Sequence, residues 1–261
     1  MFVLGALGFV VSNLFFSGCN APINELKVES LLHYVNPFIG TAENGHTFPG
    51  ATVPFGLVQL SPQTRNRDWA YCSGYQYRDS LLYGFGHSYL NGTGVGDLGD
   101  VLILPYQSML KDSGNVAYQV MDKSEEKASP GYYSVKLDGG AIQAEMTASP
   151  HVGFHKYKFV KGGECHLLIN IDNLIRSFNQ YLEDREIQDA AFVEVSPNEI
   201  TGYILARNWV KRQVYFVIQL DHEADVKTVG ERILDLSFDH KPNCFLLSCI
   251  LLPKVFIYKV K

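Results

Sequence analysis

Apolar residues along this chain come in short runs of strand length, separated by glycine, proline, asparagine and aspartate. Within several runs, apolar and polar residues alternate with the period of two that is typical of a half-buried strand. Turn signals such as Asp138-Gly139-Gly140 stand between the runs. The predicted strands cover residues 53–60, 71–77, 101–104, 132–137, 142–147, 155–160, 165–171, 200–206 and 214–220.

The stretch KASPGYYSVKLDGGAIQAEMTASPHVGFHKYKF, residues 127–159, predicts three antiparallel strands joined by short connections. Only residues 174–190 could hold a helix, and their apolar periodicity is poor. Composition agrees, because aromatic residues make up 13% of the chain and 23 glycines and 11 prolines supply turns. We therefore predict an all-β fold, a large antiparallel β-sandwich.

The first 20 residues, MFVLGALGFVVSNLFFSGCN, contain no charged side chain. An apolar run followed by small residues is typical of a secretory signal, and the small residues before Cys19 resemble a bacterial lipobox. We interpret residues 1–19 as a lipoprotein signal peptide and residues 20–32 as a tether. The protein is then exported and anchored by a lipid at the outer membrane, cell surface or periplasm. An uncleaved membrane anchor and an ordinary buried segment are the alternatives.

The net charge of −5 and the absence of a long basic run argue against a nucleic-acid partner. Export would permit disulfides, but the cysteines after Cys19 show no framework spacing. Neither C-x-x-C nor H-E-x-x-H occurs, so the sequence does not support a zinc site. His151 and His155 share one face of a predicted strand, and we interpret them as solvated side chains rather than metal ligands.

Residues 94–99, GVGDLG, match the G-x-G-x-x-G fingerprint of a dinucleotide-binding turn. That turn needs a strand before it and, after it, a helix whose N-terminus binds the phosphates. Here residues 87–91 are not an apolar strand, and residues 100–104 predict a buried strand instead of a helix. Asp97 would also repel a phosphate. We interpret the loop as one that brings its backbone, Asp97 and Asp100 to a neutral polar ligand or a neighbouring domain.

Residues 36–105 are dense in glycine, proline, histidine, tryptophan and tyrosine, a composition typical of loops around a binding site. In RDWAYCSGYQYRD, residues 67–79, aromatic side chains stand among carboxylates and guanidinium groups. Such a mixture suits a small polar ligand, because sugar rings stack on aromatic rings while charged groups bind the hydroxyls. We expect Trp69 to be exposed, whereas Tyr75 and Tyr77 either line the site or fill the core.

Taken together, these segments resemble glycoside hydrolase family 92, the calcium-dependent exo-acting α-mannosidases of bacteria. The matching text is VNPFIGT, GHTFPGATVPFGLVQLSPQTR, CSGYQYRD, GFGHSYLNGTGVGDLGDVLILP, ASPGYYSVKL and VGFHKYKF. These segments run in order from about Tyr34 to about Leu220, which is far more specific than the glycine fingerprint they contain. The resemblance implies an N-terminal β-sandwich domain of the galactose-mutarotase-like supersandwich type over residues 33–225.

The resemblance also implies a chemistry. Family members cleave terminal α-mannosidic bonds, for example α-1,2 bonds in N-glycans or mannans, with inversion by a general acid and a general base. Substrate lies between the sandwich and a C-terminal (α/α)6 domain, which supplies both catalytic carboxylates, and calcium helps to distort the sugar.

That helical domain is not in this sequence. We therefore assign no catalytic residue and no calcium ligand, and expect the chain alone to be an inactive mannosidase domain. A non-catalytic carbohydrate-binding module and a fragment without function are the alternatives.

We predict substrate contacts from Arg65, Asp68, Trp69, His87 and Asp97. By the resemblance, Trp69 corresponds to a tryptophan on the leaving-group side of the cleft. His87 corresponds to the histidine of the family's GFSHTHL motif, here GFGHSYL, and is either a ligand contact or a buried hydrogen-bonding histidine. Arg65 is kept from the SPDTR motif, whereas Gln63 replaces its acid.

The C-terminal residues depart most from the family's pattern. After VYFVIQLDHEAD the family continues into a linker and helices, whereas this chain continues to CFLLSCILLPKVFIYKVK. We interpret residues 226–261 as an atypical tail produced by truncation or a frameshift, with a genuine standalone module as the alternative.

Overall fold

A computed structural model describes residues 30–65, 68–107, 110–112, 116–160, 163–176, 186–208, 211–238 and 245–255. From Leu32 onward these residues belong to one unit of the chain, which holds every strand described below. Two short 3-10 helices cover Leu31–Tyr34 and Trp69–Tyr71. In the described part of the chain, no helix is long and apolar enough to cross a bilayer.

In chain order the strands are β1 (Ala51–Thr52), β2 (Gln59–Gln63), β3 (Leu81–Leu82), β4 (Gly84–Gly86), β5 (Leu102–Gln107), β6 (Lys111–Asp112), β7 (Ala117–Ser129), β8 (Tyr132–Leu137), β9 (Ile142–Ala148), β10 (Val152–Phe159), β11 (Cys165–Asn170), β12 (Glu186–Val195), β13 (Glu199–Arg207), β14 (Lys211–Leu220), β15 (Asp225–Gly230), β16 (Ile233–Phe238) and β17 (Phe245–Val255).

The strands form two antiparallel sheets. The smaller sheet has the order β1-β2-β4-β5-β11-β16-β15, and the larger has the order β12-β13-β14-β17-β10-β9-β8-β7-β3, with β6 also paired to β7. Strands β8, β9 and β10 pair as a meander, with Tyr133 opposite Met146 and Met146 opposite His155. The three antiparallel strands predicted from residues 127–159 are thereby confirmed.

The core lies between the two sheets because each strand turns alternate side chains inward. In β10 the inward side chains are buried, whereas Phe154 between them is 44% exposed. Phe85 on β4 of the smaller sheet meets Tyr133 and Tyr157 of the larger sheet, at ring-centroid distances of 6.4 and 6.2 Å. The predicted all-β sandwich is therefore confirmed, with one continuous core joining both sheets.

Strands continue past residue 225, where the sequence predicted that the sandwich would end. Strands β15 and β16 form one edge of the smaller sheet, and β17 lies between β14 and β10 in the larger sheet. Its alternating positions bury Leu247, Cys249 and Leu251 in the core. The apolar run after residue 243 thus supplies an interior strand within the part that the structure describes.

The strand predicted over residues 53–60 is wrong up to residue 58, because β2 begins only at Gln59, and two further predicted elements are wrong. Residues 71–77 form the end of a 3-10 helix and turns rather than a strand, and Gly74 has a φ of +78° with Tyr89 packed against it. The chain leaves the extended conformation there because the turn needs that left-handed glycine. The possible helix over residues 174–190 is contradicted at its end, where β12 begins at Glu186, and residues 177–185 lie outside the described residues.

Candidate functional site

The loop between β4 and β5 holds the glycine-rich motif and has an unusual backbone. Gly92, Gly94 and Gly99 have φ values of +71°, +63° and +88°. Leu98 and Val101 also lie at positive φ, +67° and +49°, where a side chain at Cβ is disfavoured. Strain of this kind persists only where the surroundings hold it, and it clusters at functional sites. As predicted, a buried strand, β5, follows the loop, so no helix N-terminus faces a phosphate there.

Polar side chains from distant parts of the chain fix the carbonyl groups of this loop. Asn208 Nδ2 donates to the Gly96 oxygen at 2.9 Å, and Asn173 Nδ2 donates to the Gly99 oxygen at 2.7 Å. The indole Nε1 of Trp69 donates to the Gly94 oxygen at 2.9 Å. Because its carbonyls are bound on several sides, the loop is held rigidly in place.

Behind the loop lies a buried ionic cluster. Arg212 on β14 donates from Nη1 to Asp97 at 2.6 Å, and from Nη2 and Nε to Asp100 at 2.9 and 3.3 Å. Ser88 donates to Asp100 at 2.6 Å, and the Leu98 amide donates to Asp97 at 2.7 Å. Burial lowers the pKa of Arg212, but the charges of Asp100 and Asp97 outweigh it and raise the pKa overall. The guanidinium therefore stays charged and holds the C-terminal part of the loop at Asp97 and Asp100.

A second buried network joins the two sheets through histidines. His87 Nδ1 lies 2.6 Å from the Val101 carbonyl oxygen, and its Nε2 lies 2.9 Å from His155 Nε2. His155 Nδ1 lies 2.7 Å from the Tyr157 hydroxyl. Since the carbonyl only accepts, His87 donates there from Nδ1, accepts from His155 at Nε2, and His155 accepts from Tyr157.

Both imidazoles of this network are neutral at pH 7. Burial lowers the pKa of His87 to about 4, and burial followed by the neighbouring His87 lowers the pKa of His155 well below its usual range. The interpretation of His155 as solvated is therefore wrong, because its side chain is 1% exposed, whereas His151 is exposed. Alternation along the strand could not show that the inward face at His155 is completely covered.

The solvent side of the loop carries the exposed aromatic residue. Trp69 is 44% exposed and makes an edge contact with His46, with ring centroids 4.4 Å apart. Asp68 is exposed, has a φ of +100°, and caps the 3-10 helix by accepting from the Ala70 amide at 3.4 Å. The guanidinium carbon of Arg65 lies 5.2 Å from the ring centroid of Tyr71. The structure thus places Arg65, Asp68 and Trp69 on or beside one 3-10 helix.

The two tyrosines left open by the sequence divide between core and surface. Tyr75 is 1% exposed, and its hydroxyl bonds to the Glu126 carboxylate at 2.9 and 3.0 Å. Tyr77 is 49% exposed, and the Lys123 ammonium lies 5.0 Å from its ring centroid. Tyr75 is therefore a core residue and Tyr77 a surface residue.

The predicted contact residues fall into two groups. Arg65, Asp68 and Trp69 are exposed, whereas His87 and Asp97 are buried and hydrogen-bonded within the protein. Sequence reasoning missed Arg212 entirely, because nothing in KRQVYFV shows that a residue 115 positions after Asp97 reaches it. It also missed His46, although GHTFPG was among the segments that carried the family resemblance.

Carboxylate and other metal-binding side chains do not cluster in the described residues. Among them, no three His, Cys, Asp or Glu side chains converge as metal ligands. Asp97 and Asp100 lie close together, but both bind the guanidinium of Arg212. Calcium needs several oxygen ligands free to face it, and these carboxylates already face a cation. Cys19, the predicted lipid attachment point, lies outside the described residues.

Comparisons with known proteins place these features in a family. The family model described as Glycosyl hydrolase family 92 N-terminal domain matches residues 34–235. A family GH92 α-mannosidase from Bacteroides thetaiotaomicron, solved in complex with mannoimidazole, is 27% identical with a TM-score of 0.75. That match covers 85% of this chain and 32% of the mannosidase.

Two further proteins are similar to this chain. A family GH92 inverting mannosidase from Bacteroides thetaiotaomicron VPI-5482 shares the fold, with a TM-score of 0.68 and 20% identity over 84% of this chain and 31% of that one. A protein of Arthroderma benhamiae described as an uncharacterized secreted glycosidase is 30% identical over 136 residues, 49% of this chain and 17% of that protein. The chain therefore spans about a third of the solved relatives and less than a fifth of the fungal one.

Proposed function

The chain belongs to glycosyl hydrolase family 92, and from that membership we propose that its sandwich forms one wall of a binding site for terminal α-linked mannose. The observation that carries the proposal is Trp69, which is half exposed while its indole N–H is held by the Gly94 carbonyl. A ring fixed in this way offers a rigid face on which the apolar C–H side of a sugar stacks. The related mannosidase solved with mannoimidazole supports mannose as the sugar.

In this site the exposed charged residues bind hydroxyl groups, and the buried residues Asp97 and His87 position the loop. The Asp68 carboxylate accepts hydrogen bonds beside Trp69, and the Arg65 guanidinium offers N–H donors at the other end of the 3-10 helix. Asp97 and His87 act from behind, since their side chains already bind Arg212 and His155. Loss of either one would displace the loop rather than remove a direct sugar contact.

Hydrolysis with inversion requires one carboxyl group as acid and another as base, with room for water between them. We propose that both come from a helical (α/α)6 domain outside residues 1–261, together with the calcium site. The chain alone then binds mannosides, such as α-1,2-linked ends of N-glycans or mannans, without cleaving them. The greater length of the solved mannosidases, of which this chain covers about a third, supports this division.

We propose that the protein is exported and held to a membrane by lipid at Cys19. The fungal relative described as secreted supports export, and the uncharged apolar N-terminus supports a signal peptide. Replacing Cys19 by serine should move the protein from the membrane fraction to the soluble fraction. If the variant stays in the membrane fraction with an unprocessed N-terminus, the segment is a helical anchor and lipidation is wrong.

The binding proposal is tested by titrating the full chain, purified in mild detergent, with mannoimidazole and α-1,2-mannobiose in a calorimeter. We expect both ligands to bind, and Trp69→Ala to weaken them by at least about ten-fold, as loss of a stacking ring does. The matched control is Tyr215→Ala, which removes another half-exposed aromatic side chain, on β14. Equal affinity in Trp69→Ala would place the sugar elsewhere, and absence of binding in the unaltered chain would overturn carbohydrate binding itself.

The same protein should not hydrolyse aryl α-mannosides with or without calcium. Turnover that follows the folded protein through purification would show that the acid and base lie within this chain. A second experiment joins a family 92 helical domain to the chain. If the joined protein binds mannosides but still does not hydrolyse them, the alternative of a non-catalytic carbohydrate-binding module is favoured.

A further inference from the structure

His46 is a buried histidine whose ring nitrogens are unpaired. Its side chain is 7% exposed, yet neither Nδ1 nor Nε2 has a hydrogen-bond partner in the described part of the chain. A buried nitrogen without a partner costs free energy, because it loses its hydrogen bonds to water and gains none in return. Such a group in a folded protein therefore calls for an explanation.

The other buried imidazoles set the contrast. His87 and His155 use both of their ring nitrogens in the network that reaches Val101 and Tyr157. The fold is therefore able to pair buried imidazoles completely where they serve the core. His46 lies outside that network and outside the sandwich core.

The position of His46 points to the sugar site. Its ring meets the edge of the Trp69 indole at 72° between planes, and a Cβ built on Gly94 would lie 3.6 Å from His46 Nε2. The backbone of His46 has a φ of +54°, and its carbonyl accepts from the Gly92 amide at 2.6 Å. The glycine loop thus holds the imidazole between itself and the exposed indole, in a conformation that costs strain.

The imidazole is also in a defined chemical state. Burial lowers the pKa of His46, so the ring is neutral at pH 7. A neutral imidazole offers one N–H donor and one acceptor nitrogen. Either nitrogen can bond to a hydroxyl group, which itself donates once and accepts, and one hydroxyl engages one of the two nitrogens.

We propose that His46 is a specificity-determining residue that binds one hydroxyl group of the sugar stacked on Trp69. The inference rests on the proposed function, since it names which side chain distinguishes the sugar within that site. His46 and Trp69 then contact different parts of the same sugar. The indole binds the apolar face of the ring, and the imidazole recognises one polar position on its rim.

The test is a set of ligand-observed NMR titrations of the full chain with methyl α-mannoside and its 2-, 3-, 4- and 6-deoxy analogues. In the unaltered protein, one analogue should bind about ten-fold more weakly than the parent, as expected for a lost hydrogen bond to a buried group. His46→Phe keeps a ring against Trp69 but has no polar atom. In this variant the parent should weaken about ten-fold, and the difference between the parent and that analogue should disappear.

Two controls separate recognition from structure. The melting temperature of His46→Phe should change by less than about 4 °C, because the imidazole nitrogens bond to nothing in the fold. His46→Asn keeps a donor and an acceptor on a residue that tolerates positive φ, and should retain part of the discrimination.

The outcomes are distinguishable. If the unaltered protein binds no mannoside, the proposed function fails and the hydroxyl contact of His46 fails with it. If mannosides bind but the deoxy profile is the same in His46→Phe, the proposed function stands and this inference is overturned. A large loss of stability in His46→Phe with unchanged affinity would show that His46 serves the fold alone.

Discussion

The two sides of the glycine-rich loop differ in how completely their polar side chains are hydrogen-bonded. On the inner side, Asp97 and Asp100 bind Arg212 and lie almost completely out of solvent. On the outer side, Trp69 is half exposed and His46 has ring nitrogens that bind no atom in the described part of the chain. The same loop thus has one face whose carboxylates are paired by the fold, and another face beside which the ring nitrogens of His46 stay unpaired in the described residues.

The difference between the two faces shows that an ionisable side chain in the loop need not be a ligand contact. Asp97 and His87 attract notice in the sequence because they are ionisable and stand in a glycine-rich region, yet the fold has already paired both. His46 differs from both, because the fold leaves its two buried ring nitrogens unbonded in the described residues. A buried ionisable group with a shifted pKa can therefore hold a loop in place just as well as it can bind a ligand.

The largest expected effect comes from removing the inner cation. Arg212→Met would leave Asp97 and Asp100 buried without a counter-charge, which costs about 3–5 kcal/mol of unfolding free energy. Urea unfolding followed by circular dichroism measures the loss. Lys227→Met is the control, because this lysine is exposed and should shift stability by less than about 0.5 kcal/mol. Similar small losses in both variants would mean that the inner face is not an energetic support.

The second-largest effect is expected from acid, which should destabilise the buried network of His87 and His155. The unfolded chain protonates each imidazole near pH 6.5, whereas the pKa of folded His87 is about 4 and that of His155 is lowered well below its usual range. Between these values the unfolded state binds more protons, so stability is full above pH 6.5 and falls as the pH falls. From pH 7 to pH 5 His87 should contribute a loss of about 2 kcal/mol, and His155 should add a loss in the same direction.

The variant that isolates this effect is His155→Gln, whose amide can donate to His87 and accept from Tyr157. Urea midpoints at pH 7, 6 and 5 should show that its loss of stability over this range is smaller than that of the unaltered protein, because one of the two titrating imidazoles is gone. Parallel pH profiles would contradict the assignment of the titration to this pair.

Alanine substitutions at two glycines of the loop, which have similar positive φ values, test whether the outer face contacts the sugar. Gly92 and Gly94 have φ values of +71° and +63°, so alanine should cost about 1–2 kcal/mol of stability at either position. A new Cβ at Gly92 meets nothing within 4 Å, whereas one at Gly94 meets His46 and Trp69. Only Gly94→Ala should also weaken mannoside binding. Equal affinities in the two variants, measured by calorimetry beside thermal unfolding, would separate the loop from the sugar site.

The smallest effect is expected at Arg65. Its guanidinium stacks on Tyr71 at an exposed position, where such a contact contributes about 0.5–1 kcal/mol. Arg65→Met keeps the stem of the side chain and should lower stability by no more than this amount, while Arg65→Lys should keep most of it. A larger loss in chemical denaturation would give Arg65 a structural role that its exposure does not suggest.

Much of the fold could be predicted from the periodicity of apolar residues in the sequence. The strands β8 to β10 and β13 to β14 were predictable because each turns alternate side chains to the core and joins its neighbour by a short turn. The region 53–77 was not, since its conformation depends on tertiary packing: β2 starts only at Gln59, and Gly74 turns to make room for Tyr89. Local propensity does not contain such information.

The site was predictable only in part. Trp69 was expected at the surface and is found there, because a tryptophan between charged and small residues has little apolar company in sequence. The partners of Asp97 and His87 come from β14 and β10, far along the chain, and no spacing rule links them. His46 was missed because its significance lies in bonds that it does not make within the described residues, which only coordinates reveal.

The position of β17 also sets the order in which the molecule can assemble. Residues 245–255 are made after β10 and β14, yet they pair with both of them. The meander of β8 to β10 and the hairpin of β13 to β14 therefore keep open edges until the strand between them pairs with both. Pairing across nearly a hundred residues makes this closure slow. A folding chain in which β17 has not yet paired therefore exposes two strand edges in the middle of its larger sheet.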